Sequence, residues 1–182
     1  MKKLDWKEFI NFWSQFYNDS RDRDEKLYYP YISNNGLLKD DSLRNLWCWK
    51  MGHHFKSKNN QIALKLMAEK KEIIINFRRS KPSLNDLHNF SKKIFRNGIV
   101  YSVFLIHICK PEKYPIFDQH VFRSFIFITK KEIVKQPTDI KDYHKYKDFV
   151  LSISRKYKID LRNIDKGLMS FGQFLANPQK FL

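Results

Sequence analysis

Ile99-Val100-Tyr101-Ser102-Val103-Phe104-Leu105-Ile106-His107-Ile108-Cys109 is the stretch whose reading decides the fold. It is almost unbroken in apolar residues, and its Val, Ile, Phe and Tyr content suits a buried strand. At eleven residues it is long for a strand and sits at the short edge for a buried helix. With apolar residues on every side, periodicity does not choose between the two.

Its flanks are easier to read. On the N-terminal side Ser83 is placed to cap a helix with Leu84, Leu87, Phe90 and Ile94 on one face, and Gly98 stops it. On the other side the loop Lys110-Pro111-Glu112-Lys113-Tyr114-Pro115 leads to Asp118, after which Val121, Phe122, Phe125 and Ile126 return at helical spacing. Further out, Trp6, Phe9, Ile10, Trp13, Phe16 and Tyr17 mark a first helix that Asn18-Asp19-Ser20 ends. An irregular stretch through Tyr28-Tyr29-Pro30-Tyr31 follows. Asp40-Asp41-Ser42 then offers caps for a helix through Leu46, Trp47, Trp49 and Met51 that ends at Gly52. Ile62, Leu66, Ile73 and Phe77 mark a third helix, although Ile73-Ile74-Ile75 would also suit a strand. Two more helices follow Gln136-Pro137-Thr138-Asp139, one through Tyr146, Phe149, Val150 and Ile153, the other through Leu161, Ile164, Leu168 and Phe171. No repeat or composition break divides the chain. Residues 1–182 read as a single helical domain of about eight helices.

Lys and Arg number 35 against 19 Asp and Glu, a formal charge of +16. Self-repulsion on that scale points to a polyanionic partner. An AT-rich genome, in which Lys, Asn and Ile are simply abundant, is the other source of such a charge. The Met1–Lys3 end carries no secretory signal, and no apolar run approaches the ~18 residues of a membrane span, so the expectation is a cytoplasmic protein without a membrane partner. Cys48 and Cys109 fit no metal spacing and read as reduced core thiols. There is no Gly-rich phosphate loop, no His-Glu-x-x-His, no Cys-x-x-Cys and no Gly-x-Ser-x-Gly.

The segment from Phe90 to Phe127 contains a helix, a short turn at Arg96-Asn97-Gly98, the apolar run, and then Pro115-Ile116-Phe117-Asp118. This arrangement resembles the helix-hairpin-helix DNA glycosylase superfamily. There a Leu-Pro-Gly-hydrophobic-Gly hairpin is followed some twenty residues later by a Pro-x-x-Asp segment. Here Ile94-Phe95-Arg96-Asn97-Gly98 takes the hairpin position and Asp118 follows Gly98 by twenty residues. The hairpin is degenerate, with Phe95 in place of the Pro and Arg96 in place of the first Gly. Where bifunctional members carry a nucleophilic Lys this chain has Ile99 or Val100, neither able to form a Schiff base.

What the resemblance implies is an all-α, helix-hairpin-helix glycosylase-like fold of two helical lobes with a central cleft. Both termini would lie in one lobe and the hairpin in the other. Ile99–Cys109 would then be a buried helix bridging hairpin and aspartate, with residues 82–128 carrying both. The implied activity is that of a monofunctional DNA glycosylase that flips a modified or mismatched base and hydrolyses its N-glycosidic bond, leaving an abasic site. Asp118 would be the catalytic carboxylate. Arg96, Asn97 and Gly98 would grip the backbone of double-stranded DNA, with Lys92, Lys93, Arg78 and Arg79 adding phosphate contacts. Trp47, Trp49, Tyr29, Gln119 and His120 are the candidates for the base pocket. Because Trp47 and Trp49 are two residues apart on a helix, one is expected to pack inside and the other to face a groove or solvent. No metal or cofactor is implied. The protein would act as a monomer, nucleoid-associated through DNA, in repair or phage defence.

Two other readings stand beside it. One is a helical DNA-binding protein without catalysis, in which Asp118 is only a helix cap. The other is a protein-interaction module whose charge reflects genome bias.

Overall fold

Ile99–Cys109 is a helix, and residues 102–109 of it are buried. The strand propensity of its β-branched and aromatic residues is overridden by burial on all sides, where a helix satisfies its own backbone groups. This computed structural model describes residues 4–17, 25–95, 98–133, 136–137 and 139–181. Among them there are eleven α-helices and no strand, so the fold is all-α.

The helices are α1 (Trp6–Ser14), α2 (Tyr29–Ile32), α3 (Asn34–Leu37), α4 (Ser42–Met51), α5 (Lys58–Glu69), α6 (Lys71–Arg79), α7 (Leu84–Lys92), α8 (Ile99–Cys109), α9 (Gln119–Lys130), α10 (Ile140–Tyr157) and α11 (Leu161–Ala176). They fall into two compact units. Unit 1 comprises Met1–Tyr17 with Tyr114–Leu182, and unit 2 comprises Asn18–Lys113.

In unit 1, α11 is the helix on which α1 and α9 pack. Two glycines inside α11 make this possible. A Cβ at Gly167 would stand 3.2 Å from the Ile10 carbonyl oxygen of α1, and one at Gly172 would stand 2.0 Å from the His120 carbonyl oxygen of α9. Glycine inside a helix costs roughly 0.5–1 kcal/mol relative to Ala, so close helix approach is the compensating gain. Trp13 and Phe9 of α1 close over Phe171 at centroid distances of 5.0 and 5.1 Å. Each of the four α-helices among the described residues of unit 1 starts on an aspartate: Asp5, Asp118, Asp139 and Asp160 accept backbone N–H groups of the first turns of α1, α9, α10 and α11.

In unit 2, α4 is buried on nearly all sides, Leu43, Leu46, Trp47, Trp49, Lys50 and Met51 included, and Gly52 ends it at φ 52°. Trp47 and Trp49 do diverge, but each meets its own wall. Trp47 donates to the Asn60 carbonyl (3.0 Å) and packs on Phe95 and Tyr101, while Trp49 donates to Glu25 (3.2 Å) and packs on Tyr28 and Phe104. The expectation that one of the two faces outward is therefore corrected. Asp41 precedes α4 without capping it. Its carboxylate instead accepts from Asn45 (2.7 Å) and the Tyr31 hydroxyl (3.2 Å).

The third helix expected through Ile62 and Phe77 is two helices, α5 and α6, broken at Lys70 (φ −110°, ψ 18°). Its buried face also lies one residue further along. Ala63, Met67, Ile74 and Arg78 point inward, whereas Ile62 and Ile73 are about half exposed. Small Ala63 and charged Arg78 do not register in a hydrophobic pattern, so the apparent stripe slips by about 100°. Ser83 caps α7, as the sequence suggests, and Asp86 completes a reciprocal capping box with it.

Candidate active site around Asp118

The loop that delivers Asp118 is fixed from within unit 1. Tyr114, Ile116 and Phe117 are buried, and the Phe117 ring lies against Tyr143 and Tyr146 of α10 at 5.3 and 5.1 Å. The Tyr143 hydroxyl donates to the Pro115 carbonyl at 3.2 Å. Burial raises the Tyr143 and Tyr146 phenols well above their usual range, and the Asp165 and Asp118 carboxylates add to the shift at Tyr146. Both tyrosines therefore stay neutral supports.

Asp118 itself is extended (φ −152°) and only 5% exposed. One carboxylate oxygen accepts the N–H groups of His120 (2.9 Å) and Val121 (3.1 Å). The three other capping aspartates of unit 1, Asp5, Asp139 and Asp160, are all exposed. Capping needs an oxygen near the first turn but no burial, and removing a carboxylate from water is costly. Asp118 thus carries a burden that capping does not require.

Around it stands a built polar shell. Arg123, one turn along α9 and 8% exposed, donates to the Gly172 carbonyl (2.9 Å) and to Nδ1 of His120 (3.0 Å). Burial pushes the Arg123 guanidinium down, and the Asp118 charge opposes that shift. A guanidinium only donates, so Nδ1 of His120 accepts, and the proton of the neutral ring sits on Nε2. The Gln119 carboxamide lies 3.4 Å from that nitrogen, and its oxygen is the end that can accept the Nε2–H. Gln119 is exposed and His120 half-buried, so Asp118, Gln119 and His120 form one local group at the start of α9.

The remaining sequence candidates belong to unit 2. Arg96 and Asn97 lie outside the described residues. Gly98 caps α8 at φ −118°, with the Tyr101 ring so close that a Cβ would meet it at 2.7 Å. Lys92 and Lys93 are exposed at the end of α7, and Arg79 is exposed at the end of α6. Arg78 is buried and donates to the Ile32 carbonyl, and Lys110 donates to the Arg78 carbonyl (2.6 Å). Its role as an open phosphate contact is therefore corrected to a structural tie that joins α6 to the end of α2. Trp47 and Trp49, at 0% and 1% exposure, offer no face on which a base could stack; Tyr29, half exposed, does. Cys48 is half-buried. Burial pushes the Cys109 thiol up to about 12 against the opposing charges of Arg78 and Lys110, so it is no nucleophile at neutral pH.

Compared with protein-family models, with curated proteins and with solved structures, the chain matches none. The sequence alone assigned no role to Gly172, Tyr143 or Arg123. The two glycines in the interior of α11 were the available signal for a close helix approach. Tyr143 gave none, since an aromatic on a helix is ordinarily core.

Proposed function

We propose that the protein is a monofunctional DNA glycosylase with Asp118 as its catalytic carboxylate. The observation that carries this reading is the burial of Asp118 alone among the four capping aspartates of unit 1. The helical state of Ile99–Cys109, twenty residues of spacing from Gly98 to Asp118, and the +16 charge support it.

In the proposed reaction the base leaves with the electron pair of the N-glycosidic bond, and positive charge develops at the sugar C1′ and ring oxygen. A fixed carboxylate stabilises that charge and orients the water that adds to C1′. The two N–H groups of His120 and Val121 hold Asp118 in place before the reaction, so the charge is preorganised. Gln119 and the Nε2–H of His120 supply a polar edge for the extruded nucleotide. No Lys stands near Gly98 on the C-terminal side, so the product is an intact abasic site.

The test is incubation with a panel of genomic and phage DNAs, followed by mass spectrometry of released bases and alkali cleavage of the strand. Asp118→Asn keeps a capping oxygen, so folding should change by no more than about 1 kcal/mol. Its base-release rate should fall by about 10²–10³. Base release by Asp118→Asn at the wild-type rate sinks the proposal. A second reading, a helical DNA-binding protein without catalysis, is favoured by the double hydrogen bond that makes Asp118 a sufficient cap in its own right. It requires salt-dependent DNA binding with no base release from any substrate.

A further inference from the structure

Arg123 sits inside unit 1 with one terminal nitrogen doubly committed. Its Nη1 donates to the Gly172 carbonyl at 2.9 Å and to Nδ1 of His120 at 3.0 Å. The guanidinium has little room to turn. It is 8% exposed, and Gly172 lies so close to α9 that a Cβ there would stand 2.0 Å from the His120 carbonyl oxygen. A guanidinium donates and never accepts. The direction of the hydrogen bonds that run outward from it is therefore fixed at each step.

A neutral imidazole has one acceptor nitrogen and one N–H. Arg123 takes the acceptor, Nδ1, so Nε2 carries the proton. A second proton on the ring would set an N–H against the guanidinium, donor to donor and charge to charge. The group 3.4 Å beyond Nε2 is the Gln119 carboxamide, and only its oxygen can accept from an N–H. With that oxygen turned to His120, the Gln119 side chain presents its –NH2 outward. A carboxamide in water reads donors and acceptors alike; at the end of this chain it only donates. The donor lies at the surface, since Gln119 is exposed. It also follows Asp118 directly, on the turn whose N–H groups hold the carboxylate.

We propose, on the basis of the glycosylase reading of Asp118, that Arg123 acts through His120 to make Gln119 a donor-only reader of the extruded base. The base released is then one that presents a carbonyl oxygen to Gln119 and not an amino group. Oxo and amino bases differ at one exocyclic position: uracil offers an oxygen where cytosine offers –NH2, and hypoxanthine where adenine does. An oxygen there accepts from Gln119. An amino group sets donor against donor, and both lose water once the base is in place. The Arg123 charge works in the same direction at longer range. The electron pair of the broken N-glycosidic bond leaves with the base, and an oxo base spreads it onto its oxygen.

The test uses the full chain and single-turnover release from duplexes that differ in one base, uracil against cytosine and hypoxanthine against adenine, read by mass spectrometry. The wild type is expected to release the oxo member of a pair at least about tenfold faster. Gln119→Glu keeps an oxygen for His120 but turns a second oxygen outward, and should cancel or reverse that preference. Arg123→Met frees the His120 tautomer and should narrow the preference, whereas Arg123→Lys retains a donor and should keep it. Melting curves show which variants fold. Gln119 is exposed, so Gln119→Glu decides the matter if Arg123→Met does not fold. Nitrogen NMR of His120 reads the same chain without catalysis. The proton is expected on Nε2 in the wild type and in Arg123→Lys, and divided between the ring nitrogens in Arg123→Met. A His120 proton on Nδ1 in the wild type, no preference within either pair, or an unchanged preference in folded Gln119→Glu overturns the proposal and leaves the Asp118 reading standing. Release of no base from any DNA overturns both.

Discussion

The two units bury polar groups in different ways. Unit 1 gathers charges. Arg162 (7% exposed) pairs with Asp165 (2%) and donates to the Tyr17 hydroxyl at 2.9 Å, while buried Arg123 braces the first turn behind Asp118. Unit 2 instead closes a ring of flat side chains. Tyr28 meets Trp49 at 4.6 Å and His107 at 6.0 Å, and Phe104 completes the circuit to both, at 5.7 and 6.2 Å. Its polar tips are satisfied inside the circuit, with the Tyr28 hydroxyl 2.8 Å from His107 Nε2 and the Trp49 indole donating to Glu25. Buried charge is costly and weakly stabilising, whereas stacked rings stabilise through area and contact. Both units bury charge, Glu25, Lys50 and Arg78 in unit 2 as well as Asp118, Arg123, Arg162 and Asp165 in unit 1, but in unit 2 the ring circuit stands beside it.

The sharpest way to break this contrast is to strip one partner from the ion pair. Arg162→Met leaves the Asp165 carboxylate buried without its guanidinium, and unfolding free energy should drop by about 3–5 kcal/mol. Urea denaturation of the variant checks this. A loss below about 1 kcal/mol, the range of solvated pairs, would mean that the pair is not a main support of unit 1.

A somewhat smaller effect tests the packing beneath the site. Gly172→Ala would set a methyl 2.0 Å from the His120 carbonyl oxygen, a backbone atom that cannot swing aside. Overpacking of this kind typically costs about 1–3 kcal/mol. Because α11 would be forced off the first turn of α9, base release should fall along with stability. An unchanged melting temperature would show that the two helices separate freely there.

Much of this was legible in the chain beforehand, and the exceptions share a cause. The cap at Ser83, the stop at Gly52 and the aspartate start of α9 are local chemistry, determined within four residues. Whether Ile99–Cys109 is a helix or a strand is not local, and only the spacing between its flanks argued for a helix. Trp47, Trp49 and Arg78 were misplaced because their surroundings come from distant segments: Asn60 and Phe95 cover one indole, Tyr28 and Glu25 the other, and Ile32 receives the guanidinium. Asp118 itself was legible as a position, but not its burial, which depends on how Tyr143 and Phe117 wall in the loop.

In unit 2 the matching test is gentler. Tyr28→Phe keeps every ring of the circuit and removes the hydroxyl with its hydrogen bond to His107. The expected loss is about 1 kcal/mol, the net worth of an ordinary buried hydrogen bond. A loss as large as that of Arg162→Met would show that unit 2 also depends on its polar contacts, and the distinction between the units would fail.

The smallest effect compares two capping aspartates, one in each unit. Asp86 in unit 2 is exposed, and its carboxylate accepts from the Ser83 hydroxyl at 2.6 Å and the Ser83 backbone N–H at 3.0 Å. These hydrogen bonds favour the ionised form and hold the Asp86 pKa below its ordinary value of 3.8. A carboxylate depressed in the folded state binds fewer protons there than in the unfolded chain. Its stabilisation is therefore present above the ordinary aspartate range and is lost as pH falls through the lowered folded value. Asp86→Asn removes that dependence while retaining an acceptor for Ser83. Denaturation curves of wild type and Asp86→Asn should accordingly differ at neutral pH and converge as pH drops below about 4. Parallel curves across the acid range would show that the box contributes geometry alone, and that a capping aspartate in this protein can be neutral without cost. Asp118→Asn, measured the same way, would then owe any loss of base release to the missing charge and not to a weakened cap.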